Sequence, residues 1–164
     1  MFKGKGKVFA LVATFACGIA PQAFAQSQGC VELKSVVETE QEVVNAAGQK
    51  TLQRAPANKV VPGSVVIITV TANNICKKPS DNVVINNPVP DHMTYVASTA
   101  TGQNSDITFS IDGAKFAAPD QLTVSDAGAA RKARPDEYRV IRWTFRGALA
   151  PGASAVASFR ATLN

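Results

Sequence analysis

Alternating apolar and polar side chains divide the chain into short β-strands. The clearest run is Ser64 to Ala72, in which nearly every residue is Val, Ile or Thr. Apolar side chains occupy both faces of this run, as expected for a central strand that is covered on both sides. Pro62-Gly63 predicts a turn before the run, and Asn73-Asn74 predicts one after it.

A long alternating segment, residues 30–44, precedes this central strand. Val, Leu, Ser or Thr occupy most positions of one face, while Glu and Lys occupy most positions of the other. A helix over residues 36–47 is the competing interpretation, because Glu, Gln and Ala favour helices. The period of two favours a long, half-buried strand. The apolar face of this predicted strand includes Val31, Leu33, Val37 and Val43.

Turn residues at 45–48 predict a hairpin whose return strand covers residues 49–54. Beyond the central strand, residues 83–85 form a short apolar run. Pro88 and Pro90 follow it. Because proline lacks a backbone N–H group, the run cannot continue as a strand in the middle of a sheet. This run is therefore predicted to be a short strand that does not continue as a central one.

The second half of the chain shows the same alternation. Asp112-Gly113 predicts a tight turn, and Ala150-Pro151-Gly152 predicts a turn that joins the last two strands as a closing hairpin. Residues 98–105 are predicted to be an exposed loop, and residues 126–135, rich in Ala, Gly and Arg, a mobile basic loop. The strands predicted in this half lie at residues 107–111, 122–124, 141–145 and 154–163.

Seven to nine short strands, with turn signals at intervals of about ten residues, predict an all-β protein. No amphipathic pattern of helical period follows residue 50. The expected fold is an immunoglobulin-like antiparallel β-sandwich. Residues 26–59 are expected to form an N-terminal strand and hairpin segment, and residues 60–164 the sandwich.

The first 25 residues have the pattern of a secretory signal peptide. Three lysines precede an apolar stretch at residues 8–20, and Ala23-Phe24-Ala25 matches a cleavage site. An uncleaved membrane anchor is the first alternative, but the stretch is shorter than the roughly 20 residues that span a bilayer. A lipoprotein with Cys17 as the lipidated residue is the second. Cleavage after Ala25 predicts export to the periplasm, the cell surface or the medium.

Removal of the signal peptide changes the charge and the cysteine count. Taking 25 residues from 164 leaves 139, which is one domain of ordinary size. Loss of three lysines lowers Lys plus Arg from 17 to 14 against 12 acidic residues, so the net charge of +5 becomes +2. A weakly cationic chain gives no support for nucleic-acid binding. No further segment is long and apolar enough to span a membrane.

Cys30 and Cys76 are the two cysteines that remain after cleavage. An even number of cysteines in an exported chain predicts a disulfide between them. Two free thiols are the alternative. The bond would join the start of the mature chain to the loop after the central strand.

The turn and strand motifs resemble those of a conserved-repeat family labelled "domain of unknown function eleven", found in exported bacterial and archaeal surface proteins. The resemblance covers roughly residues 60–164, and Asn86-Asn87 stands where the commoner pattern has Thr-Asp or Ser-Asp. It implies an immunoglobulin-like sandwich at the cell surface or in the envelope, and it supplies no catalytic or ligand-binding residues. The matching motifs are Val61-Pro62-Gly63-Ser64, Asn73-Asn74, Asn82-Val83-Val84-Ile85, Asn87-Pro88-Val89-Pro90, Met93-Thr94-Tyr95-Val96, Ile141-Arg142-Trp143 and Leu149-Ala150-Pro151-Gly152-Ala153-Ser154.

Catalytic and metal-binding patterns are weak in this sequence. His92 is the sole histidine, and its neighbour Asp91 would point elsewhere, so an exposed corner residue is favoured over a catalytic base. A zinc site is not expected from one histidine and two distant cysteines. The aspartates between residues 106 and 126 lack the close spacing of a calcium loop. No enzyme activity, cofactor or metal is expected.

Two weaker features remain as candidate binding sites. Arg131, Lys132 and Arg134 belong to a basic C-terminal third that could bind an anionic glycan or lipopolysaccharide, although a solvated face is favoured. The N-terminal strand could pair within its own domain, which is favoured, or add to the open sheet edge of a neighbour.

The expected function is a non-enzymatic, exported structural or adhesive module of the bacterial envelope or of an extracellular filament. Its expected partners are further copies of itself or envelope proteins. The alternative function is glycan or lipopolysaccharide binding through the basic C-terminal third. An assembly chaperone or accessory subunit is the third class.

Overall fold

The computed structural model of the protein describes residues 29–126 and 128–164. The predicted signal peptide, its cleavage site and Cys17 lie outside these ranges. The described residues contain a short 3-10 turn, Pro135–Glu137, and eleven strands. The strands are β1 Val31–Val44, β2 Lys50–Pro56, β3 Val65–Asn74, β4 Val84–Pro88, β5 Met93–Tyr95, β6 Thr101–Gly102, β7 Ser105–Ser110, β8 Thr123–Asp126, β9 Ala129–Lys132, β10 Val140–Phe145 and β11 Ser154–Leu163.

Two antiparallel sheets contain nine of these strands. The larger has the order β2-β1-β3-β11-β5, with β6 also paired to β11, and the smaller has the order β4-β10-β7. The prediction of an all-β, immunoglobulin-like antiparallel sandwich is confirmed. Within residues 29–126 and 128–164, no helix is long and apolar enough to cross a membrane.

The core lies between the two sheets and is built by side chains that alternate along each strand. Ile141 and Trp143 of β10 are fully buried, and Phe159 of β11 is nearly so. The Trp143 indole N–H donates a hydrogen bond of 3.0 Å to the Thr101 carbonyl, so its polar group is satisfied inside the core. The region predicted to be a loop at residues 98–105 therefore contains β6, which lies over this tryptophan.

The prediction of a closing hairpin between the last two strands is wrong. β10 pairs with β4 and β7, whereas β11 pairs with β3, β5 and β6. The turn at Ala150-Pro151-Gly152 therefore carries the chain from one sheet to the other. Alternation predicted both strands correctly, but it carries no information about which sheet a strand joins.

The prediction of a basic loop at residues 126–135 is also wrong. β9 lies in this segment and pairs with β8 in a separate two-stranded ribbon. Ala130 lies opposite Ser125, and Arg131 opposite Val124. The sequence did not predict this strand because its residues have low strand propensity. It forms through its pairing with β8.

Candidate strand-addition site

β1 pairs with β3 within its own domain, as the favoured prediction held. Leu33 lies opposite Ala72, and Val37 opposite Ile68. Side chains of directly opposed residues point to the same face, so Leu33 and Val37 point to the core face. They are nevertheless 57% and 41% exposed, whereas Ala72 and Ile68 are 0% and 4% exposed. The strand itself was predicted correctly. The prediction that its apolar face is half-buried was wrong at Leu33 and Val37, which are exposed.

The difference in width between the two sheets explains this exposure. The Trp143 ring of β10 lies 6.1 Å from the Phe159 ring of β11, so these strands face each other. The Tyr95 ring of β5 lies 5.4 Å from the Phe109 ring of β7. β4 is therefore the strand of the smaller sheet that lies on the β3 side. No strand of the described residues lies opposite β1.

The backbone of β1 is unpaired along part of its outer side. Its register with β2 runs from Glu38 to Val44, and the Ala57 N–H donates to the Val37 carbonyl at 3.1 Å. In the described part of the chain, residues 31–36 consequently have no strand beside them on this side. We call residues 31–36 the open edge.

The hydrogen-bond alternation of antiparallel strands tells which groups point out of the open edge. The Ile75 N–H donates to the Cys30 carbonyl at 2.9 Å. Even-numbered residues of β1 therefore bond to β3. The N–H and C=O groups of Val31, Leu33 and Ser35 point away from β3 and are available to another strand.

The N-terminal end of β1 is covalently fixed. Cys30 and Cys76 form the predicted disulfide, with their Cα atoms 5.1 Å apart, and the alternative of two free thiols is excluded. Because Cys30 immediately precedes β1 and Cys76 lies two residues after the last residue of β3, the bond joins the start of β1 to the end of β3. The open edge therefore begins at a fixed point.

An ion pair holds the other half of β1. The Glu40 carboxylate accepts hydrogen bonds of 2.9 and 2.6 Å from the Arg160 guanidinium of β11. These bonds keep the pKa of Glu40 below its usual value. Ile67 lies between β1 and β11 in the register and is only 2% exposed, although it points to the outer face. The pair thus spans β3, and the open edge lies on a strand held at both ends.

Two charges of opposite sign alternate along the outer face of the open edge. The Lys34 ammonium lies 3.4 Å from the Glu32 carboxylate, and both side chains are largely exposed. An exposed ion pair of this kind stabilises a fold by at most about 1 kcal/mol. Both groups are therefore free to exchange partners.

The three predicted anion-binding residues lie close together, but two are paired with acids. Arg131 donates to both oxygens of Glu137, at 2.8 and 2.6 Å, and its Nε to Asp126 at 3.2 Å. Arg134 donates to Asp136 at 3.1 Å. Lys132 is exposed and lies opposite Thr123. The positive charge counted in the sequence is locally balanced, and anion binding here remains a prediction.

Other arginines of the C-terminal third are also engaged. Arg142 lies over the Phe116 ring, 3.5 Å from its centroid, and donates to the Asn86 side chain at 2.8 Å. Arg146 pairs with Asp106. The Arg142–Asn86 bond joins β10 to β4, and the Arg146–Asp106 pair joins the end of β10 to β7, so these arginines have a structural role.

The carboxylates with perturbed pKa values are stabilised as anions. Hydrogen bonds from Arg131 and the Arg134 backbone lower the pKa of Glu137 to about 2. Backbone N–H groups of Lys115 and Ala114 and the Ser110 hydroxyl do the same for Asp112. Both groups are therefore ionised at neutral pH.

His92 occupies an exposed turn with a φ of 63°. Its carbonyl accepts a hydrogen bond from the Asn164 N–H, which ties the turn to the end of β11. Among residues 29–126 and 128–164, no three His, Cys, Asp or Glu side chains are close enough together to hold a metal ion.

The opposite side of the sandwich contains a small apolar pocket of about 320 Å³ between β5 and β7. Tyr95, Phe109 and Tyr138 pack together there, with ring centroids 4.7 to 5.9 Å apart. Burial raises the pKa of Tyr138. Large side chains fill the space between the sheets wherever strands of both sheets face each other. No such filling occurs beneath β1, which no described strand faces.

Sequence reasoning named β1 as a candidate segment for strand addition but missed its open edge. A relevant signal was present, because the turn at 45–48 and the connector after Arg54 leave room for a return strand half as long as β1. The N-terminal half of β1 must then lack a partner on that side.

Comparison with known proteins found no family model, no curated protein and no solved structure that matches this chain. The resemblance to the conserved-repeat family therefore stays a prediction.

Proposed function

We propose that the protein is a non-enzymatic, exported structural module of the bacterial envelope or of an extracellular filament, and that it attaches to its partner by strand addition. The open edge is the observation that carries the proposal. Its free N–H and C=O groups would bond to an added strand, whose apolar side chains would lie beside Leu33 on the core face. A strand held at both ends offers these groups with little loss of conformational entropy.

The Cys30–Cys76 disulfide supports export, because such bonds persist in oxidising compartments and are rare in the cytosol. It also supports a structural role, since it fixes the strand that carries the open edge.

The state of the carboxylates supports a non-enzymatic role. A general acid or base works best with a pKa near the operating pH. Glu137 and Asp112 have pKa values of about 2 and are committed to Arg131 and to backbone N–H groups. These carboxylates hold local structure together.

Glycan or lipopolysaccharide binding through Arg131, Lys132 and Arg134 has less support. The two arginines make ion pairs that an anionic ligand would have to replace. No specific observation favours this alternative over strand addition.

Photo-crosslinking in bacteria tests the proposal. The full-length chain is expressed with a benzophenone amino acid at Leu33, or at Leu52 as the matched control. Leu52 is a leucine of similar exposure, 68% against 57% for Leu33, on β2 of the same sheet. We expect the processed protein in the envelope or the medium, with covalent adducts formed from position 33 and not from position 52.

Two results would contradict the proposal. The first is a chain that stays unprocessed in the cytoplasm. The second is a correctly exported chain that forms no adduct from position 33, or forms the same adducts from both positions.

A further inference from the structure

We infer that the partner at the open edge is a second copy of the protein, joined by antiparallel pairing of the two β1 strands about a two-fold axis at Leu33. This inference rests on the proposed strand addition and names its partner. The inference is based on the open edge, a short stretch of unpaired backbone with one negative side chain, Glu32, and one positive side chain, Lys34, on its outer face.

The free backbone groups restrict how two open edges can pair. The available groups belong to odd-numbered residues, so odd residues of one copy must lie opposite odd residues of the other. With the axis at Leu33, each Leu33 lies opposite its copy and Val31 lies opposite Ser35. All three residues of each copy then exchange backbone hydrogen bonds, and the two Leu33 side chains contact each other on the core face.

Charge distinguishes this register from its neighbours. With the axis at Leu33, Glu32 of each copy lies opposite Lys34 of the other. An axis at Glu32 would place the two Glu32 side chains opposite each other, and an axis at Lys34 would oppose the two lysines. Opposite charges across a strand pair are favourable, while like charges are unfavourable by up to about 1 kcal/mol. The sequence of the open edge thus favours one register and disfavours the two adjacent ones.

The shape of the sheet also fits this pairing. In each copy β2 ends at Pro56, opposite Glu38, and β1 begins at Val31. The open edge of one copy is therefore as long as the segment of the other copy that pairs with it. Neither β2 strand blocks the pairing. The same surface is used by both copies, so the contact is closed and produces a pair rather than a filament.

Charge reversal tests the inference. The exported, disulfide-bonded protein is studied by sedimentation velocity over a range of concentrations. The wild type is expected to shift from monomer to dimer as concentration rises. Glu32→Lys and Lys34→Glu each place like charges opposite each other twice in the pair, so each variant is expected to weaken dimerisation about tenfold or more.

Two combinations make the test specific for the register. An equimolar mixture of the two variants is expected to restore dimers, because glutamates of one chain then lie opposite lysines of the other. The double variant Glu32→Lys with Lys34→Glu is expected to dimerise like the wild type. Lys115→Glu lowers the net charge by the same amount as Lys34→Glu but lies at an exposed loop position away from β1, so it is the control and should leave dimerisation unchanged.

The outcomes separate this inference from the proposed function. A wild type that stays monomeric, while position 33 crosslinks to a different protein, overturns the inference and leaves strand addition intact. If Glu32→Lys and Lys34→Glu both dimerise as strongly as the wild type, the proposed register is wrong. A ladder of higher oligomers would show an open contact and overturn the two-fold pair. Thermal unfolding of every variant checks that it is folded, and the mixture and the double variant each test the register separately.

Discussion

β1 and β3 lie side by side in one sheet and both carry apolar side chains on the core face, but only those of β3 are buried. Ile68 of β3 is buried, whereas Val37, directly opposite on the same face, is 41% exposed. The difference comes from what lies across the sandwich. β3 faces the smaller sheet, and β1 extends beyond it. An apolar face in a sequence therefore predicts which side of a strand can be buried, and the width of the opposing sheet decides whether it is.

The largest expected effect comes from breaking the covalent link between these two strands. The double variant Cys30→Ser with Cys76→Ser should lower the free energy of unfolding by about 4 kcal/mol, as expected for the entropy of a loop of this length. Urea denaturation measures the change. Reduction of the wild type should give the same loss, and a loss below about 1 kcal/mol would show that the bond contributes little.

A matched pair of truncations tests the difference in burial directly. Ile68→Ala should cost about 3 kcal/mol, because it removes buried methyl groups and leaves a cavity. Val37→Ala, at the opposed position, should cost less than about 1 kcal/mol, since the side chain is already in contact with water. Urea denaturation of both variants gives the comparison. Similar losses for the two would mean that β1 is covered in solution.

A smaller effect is expected from acid at the ion pair that holds β1. The hydrogen bonds with Arg160 lower the pKa of Glu40 from its ordinary value of 4.5. A carboxyl group with a lowered pKa stabilises the fold fully above its unfolded value, and the contribution is lost as pH falls through the folded value. Stability should therefore fall with acid below about pH 4.5 more steeply in the wild type than in Glu40→Gln.

The pH dependence of the urea midpoint for both proteins measures this difference. Because other carboxylates titrate equally in both, the difference between the two curves isolates Glu40. Superimposable curves would show that the pair with Arg160 contributes nothing to folding.

Much of the fold could be predicted from the sequence because local pattern determines it. The β-branched run around Ile68, the turn before β2 and the cysteine count each gave a correct strand, hairpin or disulfide. The partner of each strand could not be predicted in the same way. β10 and β11 look like a hairpin in sequence and join different sheets, a choice fixed by packing of Trp143 against Phe159 across the core.

The candidate site was predicted in part for the same reason. Val31, Leu33, Val37 and Val43 were identified by alternation, but the exposure of Leu33 and Val37 depends on a strand that the smaller sheet lacks, whereas Val31 is half-buried against the core. Arg131 and Glu137 are only six positions apart in the sequence. Their pairing nevertheless depends on β9 and on the 3-10 turn, and β9 was not predicted because its residues have low strand propensity. Contacts decided by tertiary structure are the ones that sequence reasoning missed.

The position of β11 in the larger sheet has a consequence for the order in which the molecule can fold. β11 lies furthest along the chain of all its strands, yet it pairs with β3 on one side and with β5 and β6 on the other. Until residues 154–163 have emerged from the ribosome or a translocation channel, β1 is the only strand of the described residues beside β3, and none of them lies beside β5. The larger sheet therefore closes late, and a chain stopped before β11 would leave both strands exposed to aggregation.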